Sequence, residues 1–276
     1  AEGAPARGPA SPGRDASVGE VLDLTQDRPL VKLALPTPPG GGATSFDLDG
    51  VRGWVARIPE ANQLPSVAYG QDRIYVSGGF ESVSFYALDA KNGRMLWASQ
   101  ALEDNGPTAP VFDNNRVIFN TESCTLFVMD ARTGKKLWFK YLGDPTLSQP
   151  AVAEGLIFAS HPGNGGQFLT AYKVLNGAEV WSRAIGAELL GAPVVHGDSL
   201  YATNLGGRVF RFLRANGKRV WAKDLGATSA PWVDGDRLYL AQRGKGHEKQ
   251  IVIAAADGAV LGEQSQVKAT YIGDVP

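Results

Sequence analysis

The residues that could do chemistry are few, and their spacing serves none of the common mechanisms. The three histidines, His161, His196 and His247, fit no H-E-x-x-H or mixed His/Cys zinc pattern. Cys124 is the sole cysteine, which excludes an intrachain disulfide, a C-x-x-C knuckle and a haem-attachment motif. No serine sits in a G-x-S-x-G elbow, and Cys124, in ESCTLFV, reads as a buried thiol opening a strand. The run HPGNGGQ (161–167) lacks the Lys-Ser/Thr and the helix of a phosphate loop, so it reads as an exposed strand connection. Two acid pairs, Asp47/Asp49 and Asp234/Asp236, could hold calcium or share a proton, but both fall where hairpin turns are expected. No catalytic residue, metal ligand or cofactor is expected.

Elements must position whatever function remains, and composition bounds them. Of 276 residues, 43% are hydrophobic and 20% charged, enough for a sizeable core in a globular protein. The 34 Gly and 17 Pro signal many turns and short elements, which favours an all-β chain. Lys and Arg number 27 against 28 Asp and Glu, so no overall field draws the protein to nucleic acid or an anionic membrane. No apolar run is long enough to span a bilayer as a helix. Residues 1–42 read as a flexible Ala/Pro/Gly-rich leader and linker. A start at Ala1 rather than Met is compatible with a processed, lipid-anchored N-terminus.

The organising feature is a repeat. Gly followed four positions later by Trp recurs as Gly50/Trp54, Gly93/Trp97, Gly134/Trp138, Gly177/Trp181 and Gly217/Trp221. A degenerate sixth copy has Gly258 at the Gly position and Gly262 where the Trp belongs. Pro65, Pro110, Pro150, Pro193 and Pro231 each open an apolar run with a turn pair inside it, as in APVVHGDSLY, so His196 aligns with Asp113 and Asp234 and reads as a turn residue. A third strand, an Asn-Gly, Thr-Gly or Asp-Gly turn and a Trp-bearing fourth strand follow. Four strands per unit of roughly 40 residues predict a β-propeller of antiparallel blades, five full repeats plus a partial blade at the N-terminus, over residues 43–276. Trp54, Trp97, Trp138, Trp181 and Trp221, with their glycines, are expected to dock blade on blade rather than stack on a cofactor.

ALDAKNGRMLW (87–97) and VMDARTGKKLW (128–138) resemble the tryptophan-docking motif A-x-D-x-x-T-G-x-x-x-W of the PQQ-like β-propeller family; AYKVLNGAEVW and RFLRANGKRVW are looser copies. Lys173, Leu213 and Ala254 replace the motif's Asp, and Arg211 stands where Ala87 and Ala171 do. Asp89 and Asp130 are expected to bond backbone N–H groups of the following turn. The resemblance covers about residues 43–262. It implies the fold, and it implies one of several functions, because the family includes quinoprotein alcohol dehydrogenases, sensor domains and the non-enzymatic scaffold lipoproteins of outer-membrane β-barrel assembly. The dehydrogenases carry a vicinal cysteine pair that a single cysteine cannot supply. The reading is therefore a non-catalytic, extracytoplasmic interaction scaffold in an envelope complex, periplasmic or outer-membrane anchored. A sensor or accessory subunit of another envelope machine and a PQQ-dependent oxidoreductase are the alternatives.

Residues 200–250 hold ten Lys and Arg against four Asp and Glu. Arg208, Arg211, Arg214, Arg243 and Lys245 are expected either to lie along a solvated rim or to form a docking patch for an acidic partner protein or an anionic surface. The first unit, Ala43 to Ile58, contains only a blade's last two strands, and Pro276 falls where a further blade would open. Three readings stay open: five blades with a spare hairpin, a sixth completed by another segment or chain, or a longer propeller, of which the last is preferred.

Overall fold

The computed structural model describes residues 42–265 apart from Asp49, Glu60, Ala101, 144–148 and 244–247, together with Pro36 and Pro38. Most of the expected leader, along with Lys245 and His247, therefore lies outside the described residues. Every named element is a strand, and no helix among the described residues is long and apolar enough to cross a membrane.

Five four-stranded antiparallel sheets follow one two-stranded sheet. The half-blade is β1 (Ala43–Leu48) and β2 (Val51–Ala56). The first full blade is β3 (Ala68–Gly70), β4 (Arg73–Ser77), β5 (Phe85–Asp89) and β6 (Met95–Ser99). The second is β7 (Val111–Asp113), β8 (Arg116–Asn120), β9 (Thr125–Asp130) and β10 (Lys136–Tyr141). The third comprises β11 (Ala151–Ala153), β12 (Leu156–Gly163), β13 (Gly166–Lys173) and β14 (Glu179–Ala184). The fourth comprises β15 (Val194–His196), β16 (Ser199–Thr203), β17 (Arg208–Leu213) and β18 (Arg219–Asp224). The fifth is β19 (Trp232–Asp234), β20 (Arg237–Arg243), β21 (Glu248–Ala254) and β22 (Val260–Ser265). The short opening strands β3, β7, β11, β15 and β19 lie side by side in chain order, and each blade runs outward from them.

Turn chemistry sets the registers. In the first three blades the opening hairpin closes on two left-handed residues, Gln71-Asp72, Asn114-Asn115 and Glu154-Gly155, whose twist matches that of the flanking strands. In the fourth and fifth, glycine alone takes that conformation, at Gly197 and Gly235. Side-chain alternation then feeds each strand into two interfaces. In β8, Ile118 packs against the third blade's Ile157 and Tyr172, while Phe119 packs against the first blade's Phe85. One apolar cluster fills each junction between successive blades, so no blade has a core of its own.

Antiparallel order also sorts the connections. The turns between first and second strands and between third and fourth share one rim, and all are short. The opposite rim carries the second-to-third turns and the longer blade-to-blade connections.

Candidate partner-binding rim

The five repeated tryptophans, in the half-blade and the first four full blades, are engaged in the same way. A register shift immediately before each of Trp97, Trp138, Trp181 and Trp221 turns the indole toward the next blade. There each Nε1–H donates to a turn carbonyl: Trp54 to Ala90, Trp97 to Ala131, Trp138 to Val174, Trp181 to Arg214 and Trp221 to Ala255, at 2.8–3.1 Å. The ring lies over Gly93, Gly134, Gly177, Gly217 and Gly258 respectively, each with positive φ, where any Cβ would meet indole carbons. Asp89 accepts from the Lys91 N–H and Asp130 from the Thr133 N–H, which shapes the same turn. Where the Asp is replaced, the Asn or Asp before the docking glycine, as at Asn176, Asn216 and Asp257, accepts an N–H two residues on.

The arginines expected to share a patch separate. Arg208 begins β17, beside Asp224 at 3.4 Å, and Arg243 ends β20, so both stand on the loop-bearing rim. Arg214 follows the far end of β17. Its side chain is 9% exposed, bonded to Glu154 at 2.7 Å and near Asp198 at 3.7 Å, on the short-turn rim. Arg211 donates to Ser199 Oγ and to the Ala255 and Ala256 carbonyls of the next blade. Arg183, which the sequence reading passed over, clamps the Gly217 and Asn216 carbonyls in the same manner. These side chains tie blades together, and of the described patch residues Arg208 and Arg243 remain on one accessible rim.

His161 is a second difference. It lies within β12 rather than in a loop, because the hairpin continues through Pro162 and Gly163 to Gly166. Nδ1–H donates to the Pro162 carbonyl at 2.7 Å, and Nε2 lies 2.8 Å from the Thr170 hydroxyl, which also bonds Ser182. Thr170 is fully buried, and burial pushes the neighbouring Tyr172 phenol up to about 12.

The loop-bearing rim of the first two blades presents a different surface. A cleft of about 280 Å³ is lined by Asn62, Phe80, Glu81, Ser82 and Val83. Phe80 is 50% exposed, Val83 43% and nearby Leu64 48%. The backbone beneath them is tied down. Asn62 and Gly79 form a parallel bridge, with the Asn62 N–H donating to the Gly78 carbonyl and the Phe80 N–H to the Asn62 carbonyl. Gly106 donates to the Ser82 carbonyl, Glu122 donates to that of Asn105, and the Glu122 carboxylate accepts the Glu81 N–H. Gln63 and Glu81 are held in the left-handed region, a conformation costly for non-glycine residues that concentrates at binding sites.

Asp104 anchors this rim, accepting from the Thr121 and Ser123 hydroxyls and the Asn105 N–H. Burial opposes its ionisation, but the bonds from Ser123, Thr121 and Thr125 outweigh it and hold the carboxyl below the ordinary range. Its stabilisation is therefore present above the unfolded carboxylate pKa and is lost as pH falls through the depressed value. Replacing Asp104 with Ala should speed hydrogen exchange at the Asn105 and Glu122 amides at neutral pH. Parent and variant should converge once the pH lies below the depressed pKa.

Among the described residues no three His, Cys, Asp or Glu side chains converge as a metal site.

Known proteins share this architecture. A family model described as outer membrane protein assembly factor BamB matches residues 40–264. The outer membrane protein assembly factor BamB of Salmonella typhimurium is 27% identical over 257 residues, 87% of this chain and 63% of that protein. The chain thus spans less than two thirds of that relative. Among solved structures, BamB from Moraxella catarrhalis superposes with a TM-score of 0.65 at 20% identity, covering 83% of this chain and 72% of that one. The quinohemoprotein alcohol dehydrogenase ADHIIG from Pseudomonas putida HK5 gives 0.58 at 17% identity, covering 81% of this chain and 43% of that one.

Proposed function

This chain belongs to the BamB family of PQQ-like repeat propellers, and we propose that it works as a non-catalytic scaffold, presenting a rim of loops to protein partners in a cell-envelope assembly outside the cytoplasm. The observation that carries the reading is the Phe80–Val83 cleft. Large apolar side chains stand exposed on a loop whose backbone is braced from three sides, which is the arrangement of a preformed anchor for a partner. Arg208 and Arg243 extend the same rim with positive charge. Attachment near the outer membrane, through an N-terminal lipid or a partner, follows from the relatives' name and belongs to the proposal.

A photo-crosslinking residue at Phe80, expressed in the native envelope, should capture components of outer-membrane assembly, whereas the same residue at Asp236 on the short-turn rim should not. Crosslinks confined to Asp236, or to a different envelope machine, would overturn the reading. The fold likeness to a quinohemoprotein dehydrogenase motivates one control: adding PQQ with calcium should leave the quinone spectrum unshifted.

A further inference from the structure

The outer strand of the second blade departs from its four full-blade counterparts. At the first and third positions after the docked Trp, or after Gly262 in the last, the other full blades carry Ala98 and Gln100, Ser182 and Ala184, Ala222 and Asp224, and Glu263 and Ser265. The second blade carries Phe139 and Tyr141, exposed by 53% and 65%. Phe139 stacks on Phe127 at 5.8 Å, which fixes its ring, and Lys136 Nζ lies 4.8 Å from the Phe139 centroid. Lys140 Nζ stands 5.5 Å from the Tyr172 ring on the opposite face of the strand. Arg132 and Lys135 in the preceding turn are exposed as well. Apart from Glu103, 3.6 Å from Lys136, no ion pair to a carboxylate offsets these cations among the described residues.

β10 is also an edge. Among the described residues it pairs with β9 alone, and the Leu142 N–H continues that ladder to the Cys124 carbonyl. Alternation along the strand therefore turns the N–H and C=O groups of Phe139 and Tyr141 outward, away from β9. Free backbone groups and exposed aromatic rings thus belong to the same two residues.

We infer that the outer edge of β10 is a second binding site, separate from the loop rim, which accepts an extended partner segment as an added strand. The segment alternates apolar residues, packed on Phe139 and Tyr141, with acidic residues aimed at Lys140 on the other face. Charge decides between this partner and a second copy of the chain. A second copy would bring the same cations, Arg132, Lys135, Lys136 and Lys140, to the shared edge, where Glu103 is the one carboxylate paired with any of them among the described residues, and like charges brought together across a strand pair destabilise it. The lysines that repel another β10 attract carboxylates.

The probe is the peptide acetyl-Val-Asp-Val-Asp-Val-Asp-amide, with an all-lysine counterpart and a form N-methylated on alternate amides, each added to the whole protein. The acidic peptide should slow hydrogen exchange at the Phe139 and Tyr141 amides, and Phe139→Ala with Tyr141→Ala should weaken binding by about tenfold or more while circular dichroism shows the blades still folded. Lys140→Glu should transfer preference to the lysine peptide. The inference is overturned if the acidic peptide gives no protection up to about 1 mM, or if the N-methylated form binds equally well. Protection mapped to another outer strand would also overturn it, as would sedimentation showing a second copy seated on this edge. None of these outcomes touches the loop rim, so the two readings fail separately.

Discussion

Trp181→Ala is expected to cost about 3–5 kcal/mol, the largest loss of any docking tryptophan. The indole is 5% exposed, the lowest of the five, and sits where the third and fourth blades meet, with ring centroids of Phe158 and Phe212 at 5.9 and 6.3 Å. Truncation opens a cavity that rigid strands cannot close. It also leaves the Arg214 carbonyl without its 2.8 Å donor, about 1 kcal/mol more. Trp54, only half-buried against the first blade, should lose less. Gly217→Ala tests the same contact from the other side, since its methyl would overlap the Trp181 ring. In the Trp181→Ala background that overlap is gone, so the double variant should be more stable than the summed single losses imply, with a coupling of roughly 0.5–3 kcal/mol. Additive losses in denaturant titrations would show that indole and glycine act independently, contrary to the packing.

The docking contacts were legible because they recur. A Trp and a Gly at fixed spacing, repeated every 40-odd residues, constrain one another, and the turn residues between runs specify each hairpin. What was not legible depends on strand direction. Arg208 and Arg214 are close in sequence but bracket β17, and six residues at about 3.3 Å each put them some 20 Å apart on opposite rims. Counting charges along a propeller sequence therefore merges two surfaces that the antiparallel meander separates. His161 was misplaced for another reason. Pro162 and Gly163 look like strand breakers, yet β11 pairs only with Leu156–Phe158, so at Pro162 one side of β12 faces no named strand and the missing N–H costs no ladder bond there. The β10 edge carried a readable signal, KLWFKY against the plainer sequences of the other outer strands. Its meaning lies in which side of the strand is unpaired, and that is set by the sheet order.

Both candidate surfaces rest on a frame that leaves little freedom locally, and Gly79 shows how little. Its φ is +84°, and a Cβ there would overlap the Asn62 carbonyl oxygen, which accepts the Phe80 N–H. Gly79→Ala therefore incurs about 1–2 kcal/mol for the left-handed backbone, and the overlap cannot be relieved by a side-chain rotation because both partners are main chain. The response with least disruption is to break the Asn62–Gly79 bridge, which frees the segment bearing Phe80, Glu81 and Val83 while the blade cores, built from other residues, stay packed. Hydrogen exchange at the Asn62 and Phe80 amides should accelerate at least tenfold, the equivalent of about 1.4 kcal/mol, with the melting temperature shifted only slightly. Crosslinking from Phe80 should fall in the same variant, whereas peptide protection at Phe139 and Tyr141 should not change. If partner capture at Phe80 survives this loosening intact, the rim does not bind as a preformed surface, and its bracing belongs to the stability of the first blade alone.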